Sequence, residues 1–212
     1  MLTDFYGNHL TTSTGLARDN YDIGLRAFLS ANYGAEEAFS QAIEADPNFA
    51  LAYLGLARAF MSSGQVGEAK LVLGKAKNLL DGLTSREKSH FLCCELALSG
   101  EAKKARTAVD NHVSEWPRDA LVAQMNTSVF GLIGFSGEAS REFDLLDYTE
   151  RLLPYYDDDW WMMSMHAISL CETGQTLKSM QLMEKALNLN PRNANAAHFF
   201  SHVLYEENEV SA

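Results

Sequence analysis

The stretch ALAYLGLARAFMSSGQVGEAKLVLGKAKNLLD, residues 50–81, decides the fold. Tyr53, Leu56, Ala57 and Phe60 succeed one another at spacings of three, one and three, which puts them on one face of an α-helix. Gly64 interrupts that helix and marks a turn. Ala69, Leu73 and Ala76 then make the inward stripe of a second helix. Small alanines on both stripes let two helix axes approach closely where they cross. Residues 50–81 therefore read as one helical hairpin.

The same grid recurs outward in both directions. Gly64 and Gly100 are 36 residues apart, and Pro47 and Pro117 are 70 apart, two near-equal periods. Upstream, Ala35, Phe39 and Ala42 occupy the second-helix stripe and Asp46-Pro47 closes the unit. Leu10 to Leu29 supplies the first helix of that unit, entered through Thr11, Thr12 and Ser13, with Tyr21, Leu25 and Phe28 on one face. Downstream come Leu92, Cys93, Leu96, Gly100, Ala105, Val109 and Pro117. A looser unit follows from Ala120 through Phe130, Gly134, Ala139 and Phe143, and then a clear one with His166, Ala167, Leu170, Gly174, Met183, Ala186 and Asn190-Pro191. This pattern resembles the tetratricopeptide repeat. Chance periodicity in an irregular helical bundle is the alternative, and the agreement of period with residue type over four or five units weighs against it. The expected architecture is all-α: a right-handed α-solenoid of about five helix pairs plus a final unpaired helix. Units fall at about 10–49, 50–83, 84–119, 120–157 and 158–193, with a partial unit over 194–208. An unanchored tail over 1–9 and a short one over 209–212 flank them.

Leu83-Thr84, Arg86-Glu87 and His90 open the third unit, and Asn190-Pro191, Ala194, His198 and His202 open the last. Together with Asp46-Pro47, they resemble the tetratricopeptide repeat protein 38 family over about residues 10–208. Members of that family continue with further helix pairs, including another histidine-rich helix. The resemblance informs the fold more than the function.

Composition narrows the function classes. Apolar residues make up 47% and charged residues 21%, enough to fill a core and too few charges for a disordered chain. The net charge of -11 repels phosphate backbones, so nucleic acid is not an expected partner. Cys93, Cys94 and Cys171 show no paired spacing. With no signal-peptide pattern, they point to a reducing cytoplasm. No apolar run reaches the ~20 residues that cross a bilayer. Phosphate loops, dinucleotide fingerprints and nucleophile elbows are absent, and no intrinsic catalysis is expected.

The repeat resemblance implies a concave groove lined by the first helices. On that grid the groove positions are Leu54, Arg58 and Met61, then Glu87, His90 and Cys94, then Gln124. Trp161 and Ser164 follow, and His198, His202 and Tyr205 end the set. Apolar and aromatic positions suit an extended peptide or an amphipathic helix of a partner protein. Self-packing of these residues is the open alternative. His198 and His202 lie one turn apart, a spacing that can chelate zinc, with His90 or Cys94 as distant third ligands. Phe199 stands where a zinc-protease helix needs its glutamate. The apolar last helix, with Phe199, Phe200, Val203, Leu204 and Tyr205, also suggests a homodimer through that surface. His166 and Cys93 read as packing residues. Asp157 to Asp159 read as the cap of a helix whose Trp-Met cluster is core.

Overall fold

The structure is a computed structural model and describes residues 2–206. The end of the last expected unit (207–208), the tail over 209–212 and the first residue of the expected tail over 1–9 lie outside the described residues. Eleven α-helices run in order among them: α1 (Gly15–Leu29), α2 (Ala35–Ala45), α3 (Ala50–Ser62), α4 (Val66–Lys77), α5 (Ser85–Leu98) and α6 (Ala102–Glu115). They continue as α7 (Ala120–Ala123), α8 (Arg141–Leu152), α9 (Trp160–Glu172), α10 (Thr176–Leu189) and α11 (Ala194–Glu206). Among the described residues there is no strand, and one isolated bridge pairs Thr3 with His9. The chain is an all-α repeat fold.

The repeat is visible in its hydrogen bonds. Where α3, α5 and α9 end, Gly64, Gly100 and Gly174 take φ values of 79°, 76° and 77°, which favour glycine. The next N–H reaches back to the same place each time: Gln65 to the Phe60 carbonyl, Glu101 to Leu96 and Gln175 to Leu170, at 2.8, 3.0 and 2.8 Å. This closure consumes a carbonyl that the helix end would orphan. The Xaa-Pro turns repeat as well. Phe49 donates to the Asp46 carbonyl, Asp119 to Trp116 and Asn193 to Asn190, at 3.0, 3.1 and 3.0 Å.

The chain divides into two compact units, one over 1–28 and 33–123, the other over 29–32 and 124–212. In the first, Phe39 of α2 is fully buried as a wedge between Gly24 of α1 and Gly55 of α3. A Cβ on Gly24 would stand 2.8 Å from the Phe39 ring, and one on Gly55 would clash harder. Tyr21 stacks at a tilt on both Phe39 and Phe49, with centroids 5.6 and 5.2 Å away. The alanines expected on the stripes of α4 and α6, Ala69, Ala76 and Ala105, have no exposed surface.

In the second unit, α9 is buried from Trp160 to Cys171 between α8 and α10. Asp159 caps it, its Oδ1 accepting from the Trp161 and Met162 amides at 3.0 and 2.9 Å. His166 Nδ1 lies 3.0 Å from the Thr149 hydroxyl, inside the packing.

Two elements depart from the expected pattern. The first helix of the fourth unit stops after one turn, at Ala123. From there the Thr127 hydroxyl takes the Gln124 carbonyl at 3.0 Å, Ser128 adopts a φ of 65°, and Leu132 N–H turns back to Met125 O at 2.8 Å. Threonine and serine here bond locally, and the glycines at 131, 134 and 137 favour turns over helix. The segment over 2–14 is not loose either. Tyr6, Leu10 and Thr12 are buried, and the segment lies against the first unit as a strap.

Candidate functional site

The strap is held by α5. Thr84 caps that helix, and the Glu87 carboxylate accepts from the Thr84 amide at 3.0 Å and from its hydroxyl at 2.8 Å, closing a capping box. The other oxygen of Glu87 accepts from the amide and hydroxyl of Thr11, at 3.1 and 3.0 Å. One carboxylate thus joins the start of α5 to the strap. Further along, Arg86 donates to the His9 carbonyl at 2.8 Å, and Arg118 donates to the Tyr6 carbonyl at 2.8 Å. Asn8 Nδ2 returns a bond to the Arg118 carbonyl at 3.0 Å. The Phe5 amide binds Asp22 at 2.8 Å, and the Arg26 guanidinium sits over the Phe5 ring. Most of these contacts read strap backbone, not strap side chains.

Beneath the strap lies a buried polar cluster. Asp119 Oδ2 accepts from Arg86 Nη1 and contacts His90 Nδ1 and His112 Nε2, both at 3.2 Å. Burial pushes the Asp119 carboxyl up, but His90, Arg86 and the histidine hydrogen bonds outweigh it and hold it well below the usual carboxylate range. Burial pushes the His90 imidazole down, against the pull of Asp119. An ionised Asp119 makes each ring nitrogen facing it a donor, which fixes both neutral tautomers. His90 therefore carries its lone pair on Nε2, which is buried without a hydrogen-bond partner. His112 carries its own on Nδ1, 2.9 Å from the Ser89 hydroxyl.

The expected groove positions fall into different settings. Glu87 and His90 join the strap site and the buried cluster. Leu54, Arg58 and Cys94 are buried in the first unit, and Arg58 covers the Phe28 ring at 5.6 Å. Burial pushes the Cys94 thiol up to about 12, with Arg58 pulling the other way. Met61 remains exposed at the end of α3. In the second unit Trp161 and Ser164 are fully buried, Ser164 donating to the Trp161 carbonyl at 2.7 Å, and Gln124 is half-buried. His198, His202 and Tyr205 are exposed on α11, and the two histidine Nε2 atoms lie 3.2 Å apart. His90 turns its Nδ1 to Asp119 inside the first unit, and Cys94 is a buried thiol of the same unit. No group of three or more His, Cys, Asp or Glu converges on an ion site among the described residues.

Sequence periodicity missed Asp119, His112, Ser89, Arg118 and the strap. Asp119 had one signal: it sits just after a Pro turn and just before a helix, where an acid ordinarily caps. Nothing local marks it as the partner of Arg86, 33 residues earlier.

No described helix is long and apolar enough to cross a membrane, and none of the three cysteines forms a disulfide. Among solved structures, the chain is similar to the crystal structure of YrrB, a tetratricopeptide repeat protein with an unusual peptide-binding site. The two are 16% identical, with a TM-score of 0.44, over 86% of this chain and 90% of that one. Residues 34–84, the second helix of the first hairpin and the whole of the next, match the family described as tetratricopeptide repeat, and they include the hairpin over 50–81.

Proposed function

We propose that the protein is an interaction scaffold whose first unit holds extended polypeptide along α5 and the turn before α7. One observation carries this reading: the chain's own residues 2–14 already lie there, gripped through their backbone by Arg86, Glu87 and Arg118. Side chains that bind main-chain carbonyls and amides accept many sequences, as extended-peptide sites do. A partner segment of the same extended form would compete with the strap. The sequence resemblance to the tetratricopeptide repeat protein 38 family bears on the fold and names no partner.

The test is a chain lacking residues 2–14, checked for helicity by circular dichroism, titrated with a labelled peptide of residues 2–14. Saturable binding that weakens on Arg118→Ala is expected. A helical truncated chain that does not bind the peptide overturns the reading.

The spacing of His198 and His202 supports a second reading, a metal-binding surface on α11. Two imidazole nitrogens on one tetrahedral zinc stand about 3.3 Å apart, close to the 3.2 Å observed. Water or a partner's side chain would complete the shell. Native mass spectrometry with added zinc decides it. One bound ion, lost on His198→Ala and on His202→Ala, is expected, and zinc retained in both variants rejects the pair.

A further inference from the structure

Ser89 meets a side chain of the neighbouring helix, whereas Ser179, which also reaches across its helix pair, donates to the Ala167 carbonyl. Ser40 and Ser169 donate to carbonyls one turn back in their own helices, Glu36 and Met165. The Ser89 hydroxyl instead reaches across the helix pair to His112 of α6. It is half-buried and lines a shallow, open cleft between α5 and α6, with Leu92, Lys103, Thr107, Ala108 and Asn111.

The relay has the polarity of a general-base pair. His112 Nε2–H points at Asp119 at 3.2 Å, so the neutral ring presents its Nδ1 lone pair to the Ser89 O–H at 2.9 Å. The ionised Asp119 orients the ring and stabilises the imidazolium that forms when the ring takes a proton. His112 is further fixed by Trp116, whose ring centroid is 5.0 Å away, and faces the His90 ring at 6.0 Å.

We propose that Ser89 is an activated nucleophile that accepts acyl groups from small esters or thioesters bound in the α5–α6 cleft. Leu92 and Ala108 offer apolar surface to the acyl chain, and Lys103 suits a negatively charged carrier. Ser89 Oγ attacks the carbonyl carbon while its proton moves to His112 Nδ1. The bond to the leaving alcohol or thiol breaks, and the leaving group takes that proton. Water then attacks the acyl-serine ester by the same route, giving the carboxylic acid and restoring Ser89. Arg86 and His90 share Asp119 Oδ2 with His112, which weakens the field on His112 and slows both steps; with an activated ester, whose leaving group is better than the serine alkoxide, acylation still outpaces hydrolysis of the acyl-serine. This site meets the strap through Arg86, which binds both Asp119 and the His9 carbonyl, but it does not rest on the peptide-binding reading.

The experiment treats the intact chain with 4-nitrophenyl acetate and, separately, with a fluorophosphonate probe. Expected are a near-stoichiometric burst of nitrophenolate and a single adduct mapped by peptide mass spectrometry to Ser89. Ser89→Ala abolishes both, and His112→Gln slows labelling by about a hundredfold or more while far-ultraviolet dichroism stays helical. Adducts spread over lysines or other serines, or labelling unchanged in Ser89→Ala, overturn the proposal. Where His112→Gln loses its fold, the Ser89→Ala comparison alone decides.

Discussion

At Asp119 one carboxylate satisfies three donors from α5 and α6. Removing one partner of a buried ion pair strands the other charge, so Asp119→Ala is expected to lower unfolding stability by about 3–5 kcal/mol in urea titrations. A loss under about 1 kcal/mol would mean that water or another acid takes over the role. The depressed carboxyl also sets a direction with pH. Its contribution is present above the unfolded value of 3.8 and is lost as pH falls below it. Phe39 gives a second residue-scale test. Gly55→Ala raises helix propensity yet drives a methyl into the Phe39 ring. Overpacking should win, with a net loss of about 1–3 kcal/mol by thermal or urea unfolding. Stability equal to or above that of the native chain would show that the ring can shift aside. The aromatic at position 39 was legible as a packing position, and the glycine at position 55 was not singled out. That they meet was not legible.

At the scale of elements, the strap is governed by its own acid. Burial raises the Asp4 carboxyl from 3.8 to about 6. The docked segment therefore holds a proton that the free segment releases, and this contribution to docking is full below 3.8 and fades as pH rises through about 6. A 2–14 peptide carrying Asp4→Asn should bind the truncated chain more tightly than the native peptide. That advantage should shrink by about tenfold between about pH 7.5 and about pH 5, read by fluorescence anisotropy. A constant ratio would place Asp4 outside the docking energetics. The capped start of α9 follows simpler rules: Asp159→Ala, which leaves two amides without their acceptor, should cost about 1 kcal/mol in thermal unfolding. That cap was legible because capping is local. The early stop of α7 was written in Thr127, Ser128 and the three glycines that follow. An outward-looking helical grid runs over such a break because apolar residues continue through it.

Taken as a whole molecule, the chain carries 28 acids against 17 bases and a net charge of -11. Counterion release cannot drive it onto a polyanion. Duplex DNA mixed with micromolar protein at physiological salt should show no mobility shift, and a salt-sensitive shift would reveal a local basic surface strong enough to override the total. Each compact unit repeats the same two turn closures, so the helix hairpins of both follow from one local grammar.

The sequence by itself determined that grammar: helix faces at 3.6-residue period, left-handed glycines after first helices, prolines after second ones, and the Asp159 cap. All are interactions within about one or two turns, where neighbours in the chain are neighbours in space. Only the tertiary structure decided that Thr11 meets Glu87 across 76 residues, that Arg86 and two histidines share Asp119, and that Ser89 faces His112. Those contacts arise when packed hairpins exclude water around charges and each buried polar atom must find whatever partner the packing brings within reach. Periodicity carries no record of that partner.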